Sequence, residues 1–453
     1  MKNLLASVAL GALLAAPAFA QDAPKPVPGL DRVNHIIVIY LENRSFDQLY
    51  GLFPGAEGVA NAGDAATQVD ASGKPYDKLP PVLNTNFRPA QVDTRFPQDL
   101  PNKPYRAEAY AGLSQTTGDA WHRYYQEQMQ IDGGKMDKFV ANSDAGSLVM
   151  STYDGAPTPL WSYAKDYTLL DHFHHAAFGG SFLNHFYLVC ACAPRYEGAP
   201  KDIVAQVDDK GVMTKDGSVS PDGFAINTMF PLNGPRPANI TDLSKLLPLQ
   251  ILPTIGDRLD EKGIDWAWYS GGWDGAVAGK PGPLFQFHHQ PFVFFAPYAL
   301  GTPGAKTHLK DEADFIDAIE HGSLPAVSFF KPSGEDNEHP GYTNVLAGEY
   351  HTALLLRMIE RSPLWEDSVV IVTYDENGGM WDHVAPPVID KWGPGSRVPA
   401  LVISPFAKRG FIEHTVYDTT AILKLIETRY GLAPLASRDA ASGDLTSALE
   451  LKQ

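Results

Sequence analysis

Two short segments carry the oxygen-rich residues of this chain: Glu42-Asn43 closes NHIIVIYLEN, and Asp375-Glu376 follows SVVIVTY ahead of a Gly-Gly turn. Three carboxylates and an amide brought to one place repel one another unless a cation sits among them. Hard oxygen donors suit Ca²⁺, Mg²⁺, Mn²⁺ or a mixed divalent site, and residue type does not choose among these. Taken one at a time, the same pairs read as caps of following helices, with a helix expected to begin at Ser45 in ENRSFDQLYGLF.

The segment AAFGGSFLNHFYLVCACAP places Gly179-Gly180 before Ser181, and apolar residues then recur at helical spacing (Phe182, Phe186, Leu188, Val189). Ser181 is therefore expected at a helix N-terminus. A serine there can be an N-cap and nothing more. It can also be a nucleophile for phosphorus. Free N–H groups and the positive end of the helix dipole receive a phosphate, glycines allow close backbone approach, and a metal-bound hydroxyl loses its proton near neutral pH. Histidines form the third group. His288-His289 in FQFHHQPF and His339 in EDNEHPGY lie in loop-like surroundings, and His122 in GDAWHRYY opens an amphipathic segment. A surface loop, an adventitious metal site and catalysis all fit the pair at 288–289. His351, inside a long amphipathic segment, reads as packing or as a supporting partner.

These residues need a scaffold that brings distant segments to one edge. NHIIVIYLEN, PAVSFFKP, SVVIVTYDE and VPALVISPF each have the apolar, β-branched and aromatic character of a strand buried on both faces. Amphipathic segments run between them at 311–322 and 349–363, the second stopping before Pro363. The alternation predicts an α/β fold, a mostly parallel central sheet flanked by helices on both faces. In such a sheet the chemistry sits beyond the carboxyl ends of the strands. Segments 55–118, 195–250 and 270–308 are rich in Pro, Gly, Asn and Asp, and are expected to be loop-like insertions, with a hairpin at DDKG, 208–211.

The first twenty residues, MKNLLASVALGALLAAPAFA, read as a secretory signal peptide, so a periplasmic or secreted product is expected. A linker over 21–31 and a main domain over 32–450 follow. No later run has the apolar length of a membrane span. The formal charge of −17, without a basic stripe, argues against a nucleic-acid-binding surface. Cys190 and Cys192 are the only cysteines. Two residues apart on a helix they face different sides, so no disulfide is expected between them.

Several of these segments, in this order, resemble one family: the bacterial phosphoesterases that include the AcpA-type respiratory-burst-inhibiting acid phosphatases and the non-haemolytic phospholipases C, a branch of the alkaline-phosphatase-like superfamily. The resemblance runs over residues 32–435 and is carried by IIVIYLENRSFDQLYG, GGSFLNHFYLV, LPAVSFFKP with NEHPGY, SPLWEDSVVIVTYDENGGMWDHVAPP and SRVPALVISPFAKRG. It implies that Glu42, Asn43, Asp375 and Glu376 are metal ligands, that Ser181 is both nucleophile and ligand, and that His339, His288, His289 and His122 serve the active site. The implied cofactor is a divalent ion: Ca, Mg, Mn, Fe or Zn. Phospholipases of the group resemble Gly-Gly-Thr-Gln-Pro-Asn-Arg where this chain has Gly-Gly-Ser-Phe-Leu-Asn-His, which favours the acid-phosphatase side. They also often carry a twin-arginine signal, whereas Lys2 alone suggests ordinary export.

The expected activity is hydrolysis of small phosphomonoesters through a phosphoserine, by an acid phosphatase whose imidazoles work protonated below about pH 6 to 7. A phospholipase C acting on phosphodiester phospholipids is the nearest alternative. A non-catalytic periplasmic phosphate- or metal-binding protein is the alternative from another class. A serine-hydrolase triad is disfavoured because G-x-S-x-G is missing around Ser181.

Overall fold

The four apolar runs become strands of one eight-stranded sheet. In chain order its strands are β1 (His35–Leu41), β2 (Thr168–Leu170), β3 (Trp266–Ser270), β4 (Leu309–Asp311), β5 (Val327–Lys331), β6 (Ser368–Tyr374), β7 (Ala400–Ile403) and β8 (Phe411–Glu413). They lie across the sheet in the order β4-β3-β5-β1-β6-β7-β2-β8. The computed structural model describes residues 22–451. The signal-peptide expectation, on residues 1–20, lies outside them. Among the described residues no helix is long and apolar enough to cross a membrane.

Every residue of β6 and all but the first of β1 are buried. A central parallel strand packed on both faces has no side that meets water, which is why these runs carry no polar alternation. The helices that bear on the site are α1 (Phe46–Leu49), α2 (Tyr124–Ile131), α3 (Ser181–Cys190), α4 (Glu312–Glu320) and α5 (Val345–Arg361). The amphipathic segments at 311–322 and 349–363 correspond to α4 and α5. Phe315 of α4 stacks on Phe330 of β5 with ring centres 4.6 Å apart. The expected hairpin is present, with Gln206–Val207 paired antiparallel to Met213–Lys215.

The sheet is mostly parallel, as expected, and one expectation, on the cysteines, is corrected. VPALVISPF supplies β7, but β7 runs antiparallel to both β6 and β2. A parallel neighbour needs a crossover, and residues 375–399 between β6 and β7 contain no helix to make one. The sheet is therefore mostly parallel. Cys190 and Cys192 form a disulfide with Cα atoms 5.1 Å apart. Helical geometry does not apply between them, because α3 ends at Cys190 and Ala191 takes the left-handed conformation (φ 47°), turning Cys192 back toward the helix end.

Arg397 is fully buried and ties the site-bearing loops together. It pairs with Asp382 at 2.8 Å and Asp47 at 3.1 Å, and donates to the carbonyls of Glu57 and Asp171.

Candidate active site

Strand register brings the two carboxylate pairs together. β1 and β6 are parallel neighbours, with Leu41 opposite Tyr374, so the residues that follow leave the sheet side by side. Asp375 N–H donates to the Leu41 carbonyl at 3.1 Å, and Asn43 N–H donates to Asp375 Oδ1 at 3.0 Å. Asn43 stands in the left-handed region (φ 56°), which asparagine tolerates better than most residues. Gly378 closes the turn after Glu376 at φ 65°, where a Cβ would lie 2.5 Å from the Asn43 carbonyl oxygen. The Gly-Gly in DENGG is thus a packing requirement of the site.

Ser181 is the first residue of α3, after the N-cap Gly180, and its hydroxyl caps nothing. Instead Ser181 Oγ lies 3.1 Å from Glu42 Oε2 and 3.3 Å from Asn43 Oδ1. The loop before it is held firmly. The Asn184 side chain accepts from Ala177 N–H and donates to the Ala177, Gly179 and Gly180 carbonyls. Gly179 (φ 89°) passes so near α2 that a Cβ there would lie 2.4 Å from Tyr124 N.

Lys331, the last residue of β5, was not singled out in the sequence. It is fully buried, with Nζ 2.5 Å from Glu42 Oε1, 3.5 Å from Asp375 Oδ2 and 3.2 Å from the Leu41 carbonyl. Its ammonium also lies 4.9 Å from the Tyr40 ring centre. His289 Nε2 reaches the same Glu42 oxygen at 2.6 Å. Burial works against ionisation of Glu42, yet His289 and Lys331 hold its carboxyl well below the usual range. The neighbours behave oppositely. Burial and the nearby Glu42 push Asp375 up to about 7, and burial with Asp375 beside it raises Glu376 well above the carboxylate range. Glu376 Oε1 is buried without a hydrogen-bond partner. Crowded carboxylates that resist ionisation, with an orphaned oxygen among them, form a donor set that fits a cation.

The histidines arrive from three other loops. His122 Nδ1 bonds to the Ala120 carbonyl at 2.6 Å, leaving Nε2 to accept from the Asn43 amide at 3.3 Å. That contact turns the Asn43 amide oxygen toward Ser181. His339 Nδ1 bonds to the Pro340 carbonyl, and its ring stacks on Tyr342 at 4.3 Å. Glu42, Ser181, His122, His288, His289 and His339 line one cavity of about 270 Å³. Burial lowers the pKa of His288 and His339 and takes His289 to about 4. This corrects the expectation of imidazoles charged below about pH 6 to 7. His289 is therefore neutral near pH 6 in the free site, and burial shifts His288 and His339 in the same direction. A neighbouring groove of about 670 Å³ shares Asp119, His122 and Arg123 with this cavity and is walled by Phe87, Arg88 and Trp121.

Residues 33–433 match the Phosphoesterase family. The chain belongs to that family. The phosphoesterase is 26% identical to Phospholipase C A of Mycobacterium tuberculosis, over 93% of this chain and 78% of that protein. It is 24% identical to the Non-hemolytic phospholipase C of Pseudomonas aeruginosa, over 95% of this chain but only 59% of that longer protein. Among solved structures, a Vibrio parahaemolyticus protein of the alkaline phosphatase superfamily aligns over 65% of this chain and 64% of its own, at 12% identity and a TM-score of 0.36, too low to add to the topology described above. Members of the family are metal-dependent, and Glu42 with His185 and His289 is one of the groups here whose donor atoms lie within 4.8 Å of one another.

Sequence reasoning missed three supporting residues of the phosphoesterase: Lys331, His185 and Glu127. His185, one turn into α3, donates from Nδ1 to the Ser181 carbonyl at 2.7 Å. Glu127 of α2 accepts from Gly179 N–H at 2.6 Å, Ser396 N–H at 3.0 Å and His175 Nε2 at 2.8 Å. Each hides in an apolar or amphipathic stretch, and only its lack of exposure marks it. The Glu127–His175 pair makes stability pH-dependent. His175 is raised above 6.5 despite burial, so its contribution is present below that value and lost as pH rises through the raised one. Glu127 is lowered below 4.5 despite burial, so its contribution is present above that value and lost as pH falls through the lowered one. The pair therefore stabilises most between about 4.5 and 6.5. Glu127→Gln should flatten the fall in urea midpoint above pH 6.5 and lower turnover by about tenfold through the loosened Gly179–Ser181 loop. An unchanged pH profile of stability would remove this role.

Proposed function

We propose that the phosphoesterase hydrolyses phosphodiesters in the manner of a phospholipase C, with Ser181 as nucleophile. The observation that carries this reading is the groove adjoining the Ser181 cavity, with Asp119, His122 and Arg123 lining both. It offers a second ester substituent a place beside the half-exposed rings of Phe87 and Trp121, at 50% and 48% exposure, which a phosphomonoester does not need. The names of the relatives that align across most of the chain agree with it.

Glu42, Asn43, Asp375 and Glu376, with the Ser181 oxygen, would hold a divalent ion. Bound there, such an ion lowers the pKa of the hydroxyl and offsets phosphate charge. The all-oxygen donor set suits a hard cation. Ser181 Oγ attacks phosphorus in line, while the N–H groups at the start of α3 receive the phosphoryl oxygens. Lys331 keeps Glu42 ionised and oriented. His339, with Nδ1–H fixed on the Pro340 carbonyl, turns Nε2 to the cavity. The negative charge of a bound phosphoryl group raises an imidazole's pKa, so the substrate itself loads the proton that the leaving alkoxide takes. Water then attacks the phosphoserine, releasing a phosphomonoester and restoring Ser181.

The test compares p-nitrophenyl phosphorylcholine with p-nitrophenyl phosphate from about pH 5 to 8, after divalent ions are restored. The expected kcat/KM is at least about tenfold higher for the diester. Trp121→Ala should raise KM for the diester by about tenfold and leave the monoester unchanged. A preference for the monoester places the activity with the acid phosphatases. Turnover of neither substrate, with stoichiometric phosphate binding, makes the protein a binding protein.

A further inference from the structure

We infer that the phosphoesterase carries a second metal site, separate from Ser181, formed by Asp171, His172 and His414 and suited to a borderline divalent ion such as Zn²⁺. Asp171 and His172 follow β2 directly, and His414 follows β8 directly. β2 and β8 are parallel neighbours with Leu170 opposite Glu413, so the turns after them leave the sheet together. β2 runs in the same direction as β6, because β7 is antiparallel to both. The cluster therefore lies on the same sheet edge as the catalytic carboxylates, two strands beyond β6 or about 10 Å away.

The donor geometry is specific. His172 Nδ1 lies 2.9 Å from Asp171 Oδ1, and His414 Nδ1 lies 3.0 and 2.9 Å from the two Asp171 oxygens. One atom from each residue falls within 4.8 Å of the others. Around a tetrahedral ion with bonds of about 2.0 Å, donors stand about 3.3 Å apart, so each imidazole need move from Asp171 by only a few tenths of an ångström to admit one. Two imidazole nitrogens and one carboxylate oxygen are a donor set for Zn²⁺ and its transition-metal neighbours. Ca²⁺ and Mg²⁺ prefer oxygen throughout.

Outer contacts fix the trio as they do at protein metal sites. Asp171 is fully buried, and its Oδ2 accepts the Glu57 N–H at 2.8 Å. Its carbonyl accepts from Arg397 at 2.8 Å, its N–H donates to the Glu413 carbonyl, and Tyr417 N–H donates to the His172 carbonyl. The His414 side chain is 61% exposed, which leaves an entry path and room for water as a fourth ligand. An ion here ties β8, a three-residue strand at the edge of the sheet, to β2 and to the loop at Glu57.

The test uses the full chain, stripped with chelator, dialysed against Zn²⁺ and analysed for metal. Wild type should retain one more equivalent than His172→Ala/His414→Ala, and Asp375→Ala should retain the equivalent that the double variant loses. Zn²⁺ should raise the melting temperature of Asp375→Ala by several degrees and that of the triple variant by none. Co²⁺ substituted into Asp375→Ala should show the visible absorption of a tetrahedral site, absent in the triple variant. Turnover of His172→Ala/His414→Ala should remain within about twofold of wild type. Equal metal content in wild type and the double variant overturns the proposal and leaves two imidazoles donating hydrogen bonds to one carboxylate. Should the double variant fold poorly, His414→Gln alone must show the same loss of metal for the site to stand.

Discussion

Ser181→Ala should lower turnover by about three to five orders of magnitude, because on the proposed mechanism it removes the oxygen that would bond to phosphorus and would leave only a bound ion and the imidazoles to activate water. Ser181 is 5% exposed and sits at the mouth of α3, so the substitution deletes one atom from a rigid site and should cost little stability. Its oxygen is one of several around the ion, so metal content should persist with weaker affinity. Acid-quenching the wild type during turnover should trap phosphate on serine, and the variant should trap none. Near-normal turnover by the alanine variant excludes Ser181 as the nucleophile, whatever the metal content.

Lys331→Met should lose both activity and stability. The ammonium is sealed between Glu42 and Asp375 with no exposed surface. Removing one partner of a buried charge cluster leaves the rest uncompensated, at a cost of about 3 to 5 kcal/mol. Glu42 owes its ionised state to His289 and Lys331, so the variant's Glu42 should take up a proton and hold the ion less well. Turnover should fall by at least about a hundredfold, the scale for deleting one fixed electrostatic partner. Urea unfolding of the metal-free protein isolates the structural part. A loss below about 1 kcal/mol there would show that Lys331 is not the cation compensating these carboxylates.

The contrast between Ser181 and Lys331 shows what could be read early. GGSF at the start of an apolar helical pattern announces a hydroxyl at a helix N-terminus, and ENRSFD and YDENGG place acids at strand ends, so these candidates were visible as local pattern. Lys331 sits in SFFKP, where a lysine after an apolar strand reads as an ordinary solvated end. Its partners come from β1 and β6, and nothing local marks them. β2, β4 and β8 were missed because three residues are too few to show a period, β3 was missed as well, and which strand of the mostly parallel sheet runs antiparallel could not be read because direction is set by the connection and not by the strand.

The sequence by itself determined the apolar strands, the amphipathic helices and the types of side chain waiting at their ends, because burial and periodicity act on neighbouring residues. Only the tertiary structure decided which ends meet. The register of Leu41 against Tyr374 sets Glu42 beside Asp375, β5 delivers Lys331 between them, and the turn at Ala191 closes the disulfide that helix geometry ruled out. Those outcomes depend on contacts between segments 44 or more residues apart, or on one residue leaving the helical conformation, and neither is written in local pattern.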